Sequence, residues 1–123
     1  MLRPKAFLQW AVDTFGPVAT HKDERLARFV EEALELAQAG GMSLETLDRI
    51  LWRVYRRAPG EVAKEIGQAQ ATLECLAENL GLSADAEAER EFARVKGIPQ
   101  DEWTRRHEAK VALQIANLTP TST

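Results

Sequence analysis

Three glutamates, Glu31, Glu32 and Glu35, are spaced so that a helix would hold their carboxylates side by side. At about 100° per residue, Glu31 and Glu35 lie about 40° apart, and Glu35 and Glu32 about 60° apart. Carboxylates this close repel, each exposed pair costing a few tenths of a kcal/mol, and a divalent cation between them reverses that sign. A second polar stripe, Glu61, Glu65, Gln68 and Thr72, has the i, i+4, i+7, i+11 spacing of one helical face. Gly67, Ala69 and Ala71 beside it are small enough for another helix to approach closely, and a mid-helix Gly costs about 1 kcal/mol relative to Ala. Two such faces can pool their carboxylates around Mg²⁺, which takes about six oxygens and shares them with water and phosphate. The plainer alternative is a solvated acidic face. In it Glu24–Arg28 and Arg28–Glu32 form i, i+4 ion pairs worth about 0.3–0.5 kcal/mol each.

The elements that must carry these residues all have a helical period. Phe7, Leu8, Ala11, Val12 and Phe15 predict a first helix over 5–15, which Gly16-Pro17 ends. Trp10 is read as a packing residue of that helix. Thr20 is the expected N-cap of a second helix, with Asp23 three residues on, and Gly40-Gly41 is its stop. Leu26, Phe29, Val30, Ala33, Leu34 and Ala37 form its oily stripe, within an arc of about 140° that excludes the three glutamates. Ser43 caps a third helix with Leu44, Leu47, Ile50, Leu51 and Val54 on one face. That helix ends in Arg53, Arg56 and Arg57, cations favoured at a C-terminus. Ala58-Pro59-Gly60 breaks the chain before a fourth helix over about 61–80, with Val62, Ile66, Ala69, Leu73, Leu76 and Leu80 as its stripe and Gly81 as stop. Ser83 or Asp85 starts a fifth, running to about Lys96 before Gly97. Pro99 suits the first turn of a sixth, which carries Trp103, Val111 and Ile115. The expected fold is all-α, an antiparallel bundle of about five or six helices forming one domain over 1–118, with a disordered tail over 119–123.

Composition bounds the function classes. The 123 residues are 45% hydrophobic and 28% charged, as in a soluble globular protein. The net charge of -3 gives no general attraction to nucleic acid or anionic membranes. No apolar run approaches the roughly 18–20 residues that cross a bilayer, and Met1-Leu2-Arg3-Pro4-Lys5 has no secretory-signal pattern. One cysteine, Cys75, fits a reducing cytoplasm and is expected as a buried thiol. His21 and His107 have no metal-ligand partners at ligand spacing and are expected on the surface.

Glu32-Ala33-Leu34-Glu35, followed by Glu65-Ile66-Gly67-Gln68, resembles the ExxE…ExxD signature of the MazG-like all-α nucleoside triphosphate pyrophosphohydrolases. The likeness is to short phage-type and proteobacterial members. It runs from Glu24-Arg25 through Arg28-Phe29-Val30-Glu31-Glu32-Ala33-Leu34-Glu35-Leu36, to Tyr55 and Gly60-Glu61, and into Glu91-Phe92-Ala93-Arg94-Val95, about residues 20–96. It implies hydrolysis of a (d)NTP between the α- and β-phosphates with Mg²⁺ or Mn²⁺, in a homodimer or tetramer. By the resemblance Glu32, Glu35, Glu65 and Gln68 are metal ligands. Glu31 and Glu61 support them or act as the base that activates water. The sequence departs from the signature at Gln68, which stands where the family has Asp and supplies a neutral oxygen in place of a charged one. The spacing between Glu35 and Glu65 is also at the long end of the family pattern.

Candidates for holding the triphosphate are Arg53, Arg56, Arg57, Lys64, Arg94 and Lys96, with Lys64 and Arg94 favoured by position and Tyr55 a candidate for stacking a base. Each has an ordinary reading as a solvated or core side chain. Two further functions remain open on the sequence. One is a family member that binds nucleotide or metal without turnover; the other is a helical adaptor with no enzymatic activity.

Overall fold

The computed structural model describes residues 3–117, and every regular element among them is helical. In chain order these are α1 (Arg3–Phe15), a 3₁₀ turn (Pro17–Thr20), α2 (Lys22–Ala39), α3 (Leu44–Tyr55), α4 (Val62–Asn79), α5 (Ala84–Lys96) and α6 (Gln100–Ala112). The all-α expectation and the six helices are both realised. The expected tail over 119–123 lies outside the described residues. No described helix is long and apolar enough to cross a membrane.

The described residues group into two units. The first gathers 3–41 and 97–117, so α1, the 3₁₀ turn, α2 and α6; the second is Met42–Lys96, holding α3, α4 and α5.

The first unit closes around aromatic rings and small residues. Trp10 and Phe15 of α1 meet Trp103 of α6 edge to face, with ring centroids 5.2–5.9 Å apart, the geometry the aromatic quadrupole favours. Trp10 is thus a packing residue, as its sequence position suggests. Ala11, Ala19 and Ala116 are buried, and the Gln100 side chain donates to the carbonyl of Thr14 at 2.8 Å, tying the start of α6 to the end of α1. α6 ends in paired turns, with Ile115 N–H donating to Lys110 O at 3.0 Å and Gln114 N–H to Val111 O at 2.9 Å. Gln114 adopts φ 61 where such a turn usually has glycine.

α2 departs from its reading in two respects. Thr20 does not cap it: the Thr20 hydroxyl donates to Pro17 O within the 3₁₀ turn, and His21 takes the N-cap position without a side-chain cap bond. The oily stripe of α2 is also uncovered, with Leu26, Phe29, Val30 and Leu34 all exposed and Phe29 at 57%. The side that α2 turns to its unit is the polar one, on which Glu24 is only 2% exposed.

In the second unit the caps are where the sequence places them. The Ser43 hydroxyl accepts from Thr46 N–H at 3.1 Å, and the Ser83 hydroxyl from Ala86 N–H at 3.2 Å. Gly81, at φ 72, closes α4 with bonds from Gly81 N–H to Glu78 O and from Leu82 N–H to Ala77 O. The stripes of α3 and α4 remain open, Ile66 being 63% exposed. Cys75 is exposed rather than buried. It falls about 140° from the centre of the α4 stripe, which is itself exposed.

The buried Glu24 generates a prediction. Its carboxylate lies 3.7 Å from Arg28 Nε, and Arg25 beside it has its pKa lowered, chiefly by burial and against the opposing influence of Glu24. Glu24→Ala leaves these guanidiniums without their buried counter-charge and is expected to cost about 3 kcal/mol in urea unfolding.

Candidate metal centre

On α2, Glu31, Glu32 and Glu35 each offer one carboxylate oxygen such that the three atoms lie within 4.8 Å of one another. The helix period delivers this, and no loop has to be ordered to achieve it. Glu32 and Glu35 are exposed; Glu31 is half-buried.

Glu31 is bound by cations. Lys110 Nζ of α6 sits 2.9 Å from its Oε1, and Arg28 Nη1 is 3.6 Å from the same oxygen. Arg28 in turn lies beside Glu24 and donates through Nη2 to the carbonyl of Ile115, in the turn that follows α6. Arg28 therefore joins the middle of α2 to the C-terminal turn of its unit, and Lys110 brings an ammonium to the edge of the carboxylate cluster. That ammonium neutralises one charge at this edge of the cluster. The donors are all hard oxygens, the set that suits Mg²⁺ or Mn²⁺ and not a soft metal.

In the second unit, Glu61 occupies the N-cap position of α4 without a side-chain cap bond, so its carboxylate is not committed to the helix end. Glu65 folds back over the break before α4: a Cβ placed on Gly60 would come within 2.5 Å of Glu65 Oε1. Carboxylates in the first turn of a helix are favoured by its dipole. Gln68 follows one turn on, its main-chain carbonyl accepting from the Thr72 hydroxyl.

Among the substrate candidates, Lys64 is exposed beside Glu65, and Tyr55, the last residue of α3, is 79% exposed. Arg94 is engaged along α5, its Nε and Nη2 donating to the Glu91 carboxylate at 2.9 and 2.5 Å, which holds that carboxyl below its ordinary range. Arg53, Arg56, Arg57 and Lys96 are exposed, and Lys96 lies over the Phe92 ring at 4.2 Å. His21 and His107 are half-buried rather than surface residues: His107 packs on Phe15 and its Nε2 is 2.7 Å from Asn117 Oδ1.

Sequence reasoning missed Lys110 and Gly60. Lys110 is remote in sequence from Glu31 and carries no local signal, whereas Gly60, just before a helix that opens on Glu61, could have been read as room for a side chain of the first turn. No family model, curated protein or solved structure matches the chain.

Gly60 supplies the prediction here. Gly60→Ala has no backbone strain to meet, and it displaces the flexible end of Glu65. Stability is expected to change by less than about 1 kcal/mol, while the Glu65 side-chain resonances shift in carbon-detected NMR; unchanged resonances would contradict the packing described.

Proposed function

We propose that the chain is a MazG-like pyrophosphohydrolase that converts a (d)NTP to (d)NMP and pyrophosphate. The observation that carries the reading is the convergence of Glu31, Glu32 and Glu35 on one face of α2. The family assignment rests on the motif resemblance.

Mg²⁺ or Mn²⁺, when bound, neutralises phosphate oxygens and acidifies a water molecule. Glu32 and Glu35, exposed and adjacent, are the residues of α2 that would hold it; Glu65 and Gln68 are further ligands by the resemblance. The ion pairs of Glu31 with Lys110 and Arg28 suit it to fixing its neighbours' positions better than to accepting a proton. Glu61, whose carboxylate no cap bond consumes, is the better base. Gln68 lowers the charge available to the ion, so metal affinity is expected to be weaker than with Asp at that position, and Gln68→Asp to strengthen it.

Oligomerisation is part of the proposal. The apolar stripe of each of α2, α3 and α4 is exposed, and an exposed apolar stripe of this kind suits an interface. A second copy covering them would make the homodimer or tetramer that the resemblance implies. The net charge and lone cysteine suit a cytoplasmic protein of this type.

The test is phosphorus NMR of the protein with a panel of NTPs and dNTPs in Mg²⁺ or Mn²⁺, beside Glu35→Gln. Pyrophosphate and monophosphate are expected with the wild type, and a loss of at least about a hundredfold in the variant. Orthophosphate with a diphosphate would place cleavage at the wrong bond. No turnover in either metal would favour a nucleotide-binding protein without catalysis, a reading to which Gln68 lends itself.

A further inference from the structure

The other concentration of like charge is on α3. A groove of about 610 Å³ there is lined by Asp48, Arg49, Trp52, Arg53, Arg56 and Arg57. One carboxylate faces four guanidiniums. The helical period explains the grouping: Trp52, Arg56, Arg49 and Arg53 span an arc of about 100°, whose centre is about 170° from that of the apolar stripe. Arg57 continues the basic side just beyond the C-cap residue Arg56. Whatever covers the apolar stripe therefore leaves this face outward.

Two features set the face apart from an ordinary solvated one. Arg28, Arg49, Arg90, Arg94, Arg105 and Arg106 each have a glutamate three or four residues away as ion-pair partner. Arg53, Arg56 and Arg57 form no ion pair or side-chain hydrogen bond with any described residue. Their neighbours are one another: Arg49–Arg53 at i, i+4 and Arg53–Arg56 at i, i+3, spacings at which like charges destabilise a helix, with Arg57 next beyond the C-cap. The helix dipole favours cations in this last turn but gives no reason for an indole among them. Trp52 is 57% exposed and lies off the apolar stripe, within the basic arc.

We infer that this face binds the polyphosphate of a free nucleotide, with Arg53, Arg56 and Arg57 on the phosphate oxygens and Trp52 against the base. Guanidinium forks match phosphate oxygens in pairs, and an indole face stacks on any base. Trp52 and Arg56 are about 6 Å apart along the helix axis, comparable with the distance from a base to its first phosphates. Arg57 is four residues before Glu61, so at most about 14 Å of chain separates the basic end of α3 from the N-cap of α4. The patch, from Arg49 to Arg57, is about two helical turns long on a chain of net charge -3, too short and too isolated to track a nucleic-acid backbone. The choice of ligand rests on the phosphohydrolase reading, but binding at this face requires no metal.

The experiment is isothermal titration of the full chain in EDTA with tripolyphosphate, with a nucleoside triphosphate and with a single-stranded oligonucleotide. Trp52 fluorescence is followed as the difference from Trp52→Phe. Tripolyphosphate and the nucleotide are expected to bind, with Trp52 quenched by the nucleotide alone. Arg53→Gln with Arg56→Gln should weaken both at least tenfold, and Arg53→Lys with Arg56→Lys, which keeps charge and fold but loses the fork, about threefold. Trp52→Phe should weaken the nucleotide and spare tripolyphosphate, and Glu35→Gln should bind as the wild type does. Equal binding by the wild type and both arginine variants, or no binding by any, overturns the inference, as does an oligonucleotide that binds more tightly per site than the nucleotide. Binding as expected without pyrophosphate release in Mg²⁺ would sustain this inference and remove the phosphohydrolase reading. Turnover with unaltered binding in the arginine variants would do the reverse.

Discussion

Arg28 extends from the middle of α2 to the carbonyl of Ile115, with Glu24 on one side and Glu31 on the other. Much of the first unit depends on that guanidinium. A carboxylate as buried as Glu24 has to be compensated, and the positive charge that does so also holds the turn after α6. The unusual φ of Gln114 becomes intelligible in this setting, because the turn it closes presents the Ile115 carbonyl. Lys110, one turn earlier on α6, meets Glu31 from the same side. The polar face of α2 is therefore the packed face, and the apolar face is left for another partner.

Charge of one sign is gathered twice in this chain, and in both places the helical period does it. On α2 three carboxylates share a face, with cations drawn to one edge of the group. On α3 the arginines share a face with an exposed indole, and three of them form no ion pair with any described residue. Like charges at these spacings repel along a helix in both places, and the helix dipole offsets that only for the arginines at the end of α3. We assign a divalent cation to the first and a polyphosphate to the second, the two ligands of a metal-dependent reaction on a nucleoside triphosphate.

The helices were legible because their ends are written locally. Ser43 and Ser83 accept the backbone bonds that a cap should accept, and Gly81 takes the left-handed conformation that its place after α4 requires. Thr20 misled because its hydroxyl has a nearer acceptor, Pro17 O, once the chain forms a 3₁₀ turn there. The carboxylate cluster was legible for the same reason as the helices, since i, i+3 and i, i+4 spacing alone sets it. What covers each face was not legible. An oily stripe predicts burial, yet Phe29 and Ile66 stay exposed within the chain, because burial depends on a surface that local sequence does not specify. The Lys110–Glu31 pair was invisible in the same way, being a product of how α6 returns to α2.

The central claim, that the carboxylates of α2 bind a divalent metal, is tested most directly by titrating Mn²⁺ into the protein and counting unbound ion by electron paramagnetic resonance, without nucleotide. The account predicts saturable binding by the wild type, weakened at least tenfold in Glu32→Gln and in Glu35→Gln with helix content unchanged. Mn²⁺ affinity that is the same in the wild type and both variants would contradict it.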